Sequence, residues 1–138
     1  MGQAPSEDGL CLPLASEADI VAARQKGRLL AAEIGLSASE LTVVATVISE
    51  LARNIVLYAR RGQITVRRVE RDGRQGIVVI AADEGPGIPD IARAVQDGYS
   101  TSGGLGLGLP GVRRLMDEFA VESVVGRGTT VTVTKWGR

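Results

Sequence analysis

Ile77-Val78-Val79-Ile80-Ala81-Ala82-Asp83-Glu84-Gly85-Pro86-Gly87 is an unbroken apolar run that ends in two acids and a Gly-Pro-Gly turn. A strand wetted on one side alternates apolar and polar residues. This one does not, so it is expected at the centre of a sheet. The Asp-Glu-Gly-Pro-Gly segment compels a turn directly after it. Upstream, Gln63 to Glu70 reads as a second strand, joined to Gly76–Ala82 around Asp72-Gly73, a pair that tolerates the positive φ of a tight hairpin.

Helices precede this hairpin. Ser37 with Glu40 forms a capping-box pattern, and Leu41, Val44, Ala45, Ile48, Ala52, Ile55 and Val56 give an apolar stripe to about Ala59. Ser16 caps an earlier helix, with Glu17 and Asp19 in its first turn, Ile20, Ala23, Leu30 and Ile34 at helical spacing, and Gly35 as its stop. Leu10 to Leu14 reads as a short edge strand, where Pro13 is tolerated, and polar residues 1–9 are expected to be disordered.

Downstream lie a short helix from about Pro89 to Gln96, a glycine-rich loop from Asp97 to Gly111, and a helix from Val112 to Phe119. A second hairpin closes the chain, Val121–Val125 and Thr129–Thr134 flanking Gly126-Arg127-Gly128, with valines and threonines alternating between a buried and a wetter face. Strands in hairpins and helices clustered in sequence predict an α+β two-layer sandwich, with a mixed, mainly antiparallel sheet and helices on one face. Residues 1–138 are expected to form one domain.

Composition removes several chemistries. There is no histidine, which excludes serine-histidine triads, histidine bases and most zinc sites in this chain. The only lysines are Lys26 and Lys135, and no Gly-x-x-x-x-Gly-Lys-Ser/Thr occurs, so there is no P-loop. Sixteen acids balance sixteen bases, so no net charge points to nucleic acid. Cys11 reads as a small buried hydrophobe rather than a nucleophile. No apolar run long enough for a membrane span and no signal-peptide pattern is read, and the expected location is the cytoplasm.

The loop Ser100-Thr101-Ser102-Gly103-Gly104-Leu105-Gly106-Leu107-Gly108 lets backbone amides approach an anion, and the amides of the following helix would join them. Gly106-Leu107-Gly108-Leu109-Pro110-Gly111 fits a dinucleotide fingerprint in letters only, since no strand directly precedes it. Glu50 and Asn54 lie one turn apart on a helix, able to hold a hard cation and orient a nucleophile, or simply to form a solvated face. Asp83, at the strand end, is either a turn former or a carboxylate that accepts from the exocyclic amine of adenine.

Taken in order, Glu50-x-x-x-Asn54, Asp83-x-Gly85-x-Gly87, Gly104-x-Gly106-x-Gly108 and Gly126-x-Gly128-Thr129 resemble the N, G1, G2 and threonine motifs of the GHKL ATPase/kinase superfamily. The runs ELARNIVLYA, DEGPGI and DGYSTSGGLGLGLPGVRRLMDEF are similar to its bacterial stressosome serine/threonine switch kinases, relatives of the anti-sigma-factor kinases, over roughly Asp19 to Trp136. The resemblance implies a Bergerat-type ATP fold with ATP and Mg²⁺ as cofactors. It implies Glu50 as general base, Asn54 as Mg²⁺ ligand, and Asp83 on the adenine amine with Gly85, Gly87 and Ile88 around the base. Ser100, Thr101, Gly103, Gly104, Leu105, Gly106, Leu107 and Gly108 would line the phosphates, and Thr129 would support Asp83, with Thr130 as the alternative register.

Pro89 to Gly103 corresponds to the ATP lid. The implied partners are STAS-domain proteins, as substrate antagonist and stressosome scaffold, and a downstream PP2C-type phosphatase, with neither nucleic acid nor membrane, and with homodimers common among relatives. The alternative is an anti-sigma-factor-like, nucleotide-gated binding protein that sequesters its partner. From the residues themselves comes one further hint: Arg60, Arg61, Arg67, Arg68, Arg71 and Arg74 outnumber acids at the first hairpin, as either a dock for an acidic surface or a solvated face.

Overall fold

The computed structural model describes residues 9–95 and 108–138. Its elements run β1 (Gly9–Leu14), α1 (Glu17–Glu33), α2 (Ala38–Asn54), a π-helical turn (Ile55–Ala59), β2 (Gly62–Arg71), β3 (Arg74–Asp83), α3 (Ile91–Ala94), α4 (Gly108–Leu115), β4 (Glu118–Val124) and β5 (Gly128–Trp136). The sheet has five strands in the order β1-β2-β3-β5-β4, so β3 is central and β1 an edge, as their sequences require. All four pairings are antiparallel, where a mixed sheet was expected. The last hairpin brings β5, not β4, beside β3, and that removes any parallel neighbour.

Period-2 alternation gives the sheet its two faces. Ile64, Val66, Ile77, Val79, Ala81, Val131 and Val133 are buried in one core with Val44, Val47, Ile48 and Leu51 of α2. Truncating fully buried Ile48 to alanine would cost about 2–5 kcal/mol. Helix α2 starts on the expected capping box, with Ser37 N donating to Glu40 Oε1 at 2.7 Å and Glu40 N to Ser37 Oγ at 3.2 Å. With the turn after it, the helix over Ala38–Ala59 is long and apolar enough to cross a membrane by length and composition, contrary to the sequence reading. Here its apolar stripe is spent on the sheet.

Boundaries differ where tertiary contacts intervene. The last helix spans Gly108–Leu115 rather than Val112–Phe119. Asp117 ends it: its amide donates to Thr134 O and its carboxylate accepts from Trp136 N, which starts β4 at Glu118 and makes Phe119 a strand residue. The helix expected over Pro89–Gln96 is a single turn, Ile91–Ala94, with Gln96 outside the described residues. Gly9 belongs to β1, opposite Arg67, rather than to a disordered tail, and residues 1–8 lie outside the described residues. Cys11 is exposed, not buried, because alternation in β1 turns Leu10, Leu12 and Leu14 toward the helices and Cys11 away.

Candidate active site

A cavity of about 550 Å³, ordinary for a small-molecule site, opens between the end of α2 and the ends of β3 and β5. Strand parity builds its polar end. Asp83 shares the helix-facing side of β3 with Ile77, Val79 and Ala81, and the register sets Thr129 opposite Asp83 and Thr130 opposite Ala82. Thr129 therefore lines the cavity and Thr130 faces away, which decides between the two registers left open by the sequence. Asn54, Asp83, Gly87, Ile88 and Thr129 all line this cavity, with Leu51, Ile55, Tyr58, Leu109 and Val131 supplying apolar wall.

Each polar group is oriented by a neighbour or left open. Asp83 Oδ1 accepts from Gly85 N at 2.8 Å, which sets the carboxylate's angle and leaves its other oxygen as an acceptor. Asn54 Oδ1 is buried without a hydrogen-bond partner, an arrangement that costs about 1–3 kcal/mol unless a ligand completes it. Ser123, which sequence reading missed, ties the site together: its Oγ accepts from Ile88 N at 2.7 Å, donates to Gly128 O at 3.1 Å and lies 2.8 Å from Thr129 Oγ1. With its one proton on Gly128 O, Ser123 receives that of Thr129, whose lone pairs then remain for a ligand. The signal for Ser123 lay in the alternation Phe119, Val121, Ser123 along the inward face of β4.

Two glycines are required by contact. A Cβ on Gly85 would lie 2.5 Å from Ala59 Cβ, and one on Gly87, whose φ is +81°, would lie 2.6 Å from Val124 O. Helix periodicity alone also missed Tyr58, one turn past Asn54 on the cavity wall.

Glu50 sits elsewhere. Only 3% exposed, it accepts from Gly108 N at 3.2 Å through Oε2 and from Arg53 at 3.3 Å through Oε1. It lines a second cavity, of about 460 Å³, between α1 and α2, so the two residues expected to act side by side face different spaces. Gly108 is described as the first residue of α4, with φ +66°. Ser100, Thr101, Gly103, Gly104, Leu105, Gly106 and Leu107 lie outside the described residues, as does most of the expected lid. Among the described residues no three His, Cys, Asp or Glu side chains gather as a metal cluster.

This chain resembles known proteins along most of its length. It is 54% identical to the serine/threonine-protein kinase RsbT of Bacillus subtilis, over 95% of this chain and 98% of that one. It is 35% identical to the anti-sigma F factor of Caldanaerobacter subterraneus, over 77% of each chain. Among solved structures, the RsbU and RsbW domains of a Mycobacterium tuberculosis protein match with TM-score 0.65 at 22% identity, covering 94% of this chain and 33% of that one. The profile of histidine kinase-like ATPase domains matches residues 14–135, and the chain belongs to that family.

Proposed function

We propose that this chain is an ATP-dependent protein serine/threonine kinase and partner switch, acting as one GHKL-type domain in the bacterial cytoplasm. Its substrate is a serine or threonine of a STAS-domain antagonist, and its release by phosphorylation lets it engage a PP2C-type phosphatase. The observation that carries the ATP site is the convergence of Asp83, Thr129 and the unpartnered Asn54 oxygen on one cavity. The choice of acceptor rests on the 54% identity to a serine/threonine-protein kinase.

Asp83 accepts from the exocyclic amine of adenine, a donor that guanine lacks at that position. Apolar residues Ile55, Ile88 and Val131 flank the base. The buried Asn54 oxygen fits Mg²⁺, a hard cation that takes oxygen ligands and keeps phosphates and waters as the rest of its shell; when bound it offsets charge on the transferring phosphoryl group. Gly104 and Gly106 present amides to the phosphates, and the Gly108 amide, which donates to Glu50, anchors the end of that loop. Glu50 takes the proton of the acceptor hydroxyl as that oxygen attacks the γ-phosphate.

The test is transfer of labelled γ-phosphate from Mg-ATP to STAS-domain proteins of the same organism, with Glu50→Ala and Asn54→Ala as controls. Transfer lost in both variants is the expected result. Nucleotide binding without transfer by the wild-type chain would make it a nucleotide-gated binding protein instead.

A further inference from the structure

We infer that Ser123 makes the site selective for a purine carrying an exocyclic amine, by holding the hydroxyl of Thr129 as a hydrogen-bond acceptor. The inference deepens the adenine assignment of Asp83 and rests on it for the place of the base.

A serine oxygen has one hydrogen to give and two lone pairs to fill. The three neighbours of Ser123 Oγ use all of them. Ile88 N donates to it at 2.7 Å, it donates to Gly128 O at 3.1 Å, and Thr129 Oγ1 lies 2.8 Å away. An amide only donates and a carbonyl only accepts, so the place left for Thr129 is a lone pair. The Thr129 hydrogen fills it. Among the described residues Ser123 is the only hydrogen-bond partner of Thr129 Oγ1, and that oxygen turns lone pairs alone to the cavity it lines.

Close packing fixes this direction. A Cβ on Gly128 would run into the backbone of Asp83 and Glu84, so the acceptor of the Ser123 hydrogen is held against the end of β3. Ile88 N follows Gly87, which packs on Val124, the residue after Ser123. Ser123 itself does not line the cavity. It acts on the base from one strand away, through Thr129, and is a positioning residue.

Thr129 stands directly opposite Asp83 in the β3–β5 register, and such cross-strand partners hold their Cβ atoms about 5 Å apart on one face. Asp83 offers the carboxylate oxygen left over from Gly85 N, and Thr129 offers its hydroxyl lone pairs. Two acceptors therefore face one end of the cavity. An exocyclic amine brings two hydrogens to such a pair, whereas a 6-oxo purine brings another acceptor and is repelled by both. Without Ser123 to claim its hydrogen, Thr129 would be free to donate to that oxo group, and only Asp83 would discriminate.

The experiment is calorimetric titration of the full chain with Mg-ATP and with Mg-ITP, its 6-oxo analogue. Wild type is expected to bind ATP about 100-fold more tightly, because the wrong base leaves acceptors of the site unpaired. Ser123→Ala should narrow that ratio about tenfold, raising the Kd for ATP and lowering it for ITP, and Ser123→Thr, which keeps the hydroxyl, should restore it. Thr129→Val removes the second acceptor and should narrow the ratio as far. Adding Ser123→Ala to Thr129→Val should change the ratio no further, since the first residue acts through the second. A merely structural role for Ser123 would raise both Kd values together and leave the ratio as it was.

Ser123→Ala with the wild-type ratio, or a double variant that narrows it beyond Thr129→Val alone, would overturn the inference and leave the adenine assignment standing. Wild type that binds ATP and ITP equally, or binds neither, would overturn both. Where circular dichroism shows Ser123→Ala to be unfolded, Thr129→Val decides: an unchanged ratio in that variant overturns the inference.

Discussion

The Glu50 carboxylate accepts a hydrogen bond from the Gly108 amide at 3.2 Å, linking α2 to the first residue of α4 across 58 positions of chain. First-turn amides of a helix have no partner inside it, and a carboxylate there meets the positive end of the helix dipole. The proposed base is thus also the anchor for the end of the glycine loop. Replacing it acts on two levels. Glu50→Gln keeps an acceptor for the Gly108 amide but cannot take a proton, so kcat for phosphotransfer should fall about 10²–10⁴-fold with ATP affinity within about twofold of wild type. Glu50→Ala should lose the same rate and also weaken ATP binding, because α4 is no longer held; single-turnover transfer and nucleotide titration together separate the two effects.

Asp83→Asn tests the adenine assignment. It keeps the strand-end shape and an oxygen able to accept from Gly85 N, but replaces the remaining acceptor oxygen with an NH2 group that cannot accept from the adenine amine. A hydrogen bond to a charged group contributes about 1.5–3 kcal/mol, so ATP affinity should drop roughly 10- to 100-fold. Unchanged ATP affinity in a calorimetric titration would remove the assignment.

Asn54 carries opposite consequences for stability and function. Its Oδ1 is buried with no partner, so Asn54→Leu should raise nucleotide-free stability by about 1–2 kcal/mol in urea denaturation. The same variant should lose the Mg²⁺ dependence of ATP affinity. A destabilised variant would mean that the oxygen is satisfied within the fold.

Gly87 and Gly126 both have φ +81°, yet a Cβ meets Val124 O at 2.6 Å in the first and nothing within 4 Å in the second. Gly87→Ala should therefore destabilise by about 1–3 kcal/mol and weaken nucleotide binding, with Gly126→Ala showing only the smaller cost of its backbone angle. Equal losses in thermal melts would show that strain in φ, not the contact with β4, governs the turn.

Glu118 gives the fold a pH signature. The Trp136 indole N–H, 2.9 Å away, holds its carboxyl below the ordinary value, burial opposes that shift, and Arg71 at 3.1 Å adds to it. A carboxyl depressed in the folded state contributes stability above its unfolded value and loses it as pH falls through the folded one. The Tm difference between wild type and Glu118→Gln should thus be present at neutral pH and vanish as pH drops below the usual carboxylate range. A difference that stays constant to low pH would assign it to packing.

Much of this was legible because it is local. The Ser37–Glu40 capping box, the Asp72-Gly73 turn and the unbroken apolar run of β3 depend on residues a few positions apart, and they determined the elements, the central strand and the antiparallel first hairpin. The motifs at Asn54, Asp83, Gly87 and Thr129 named the residues of one cavity before any distance was known. Periodicity states which side of an element a residue is on, not what stands across from it. Only the tertiary structure decided that Thr129 rather than Thr130 faces Asp83, since that follows from β3–β5 register. Only packing turned Glu50 toward Gly108 and the α1–α2 groove while leaving Asn54 in the cavity: neighbours far apart in sequence, α1 on one side and the sheet on the other, set the environment of two residues one turn apart. Helix α4 likewise ended at Leu115 because Asp117 bonds to β5, a contact no window of local sequence contains.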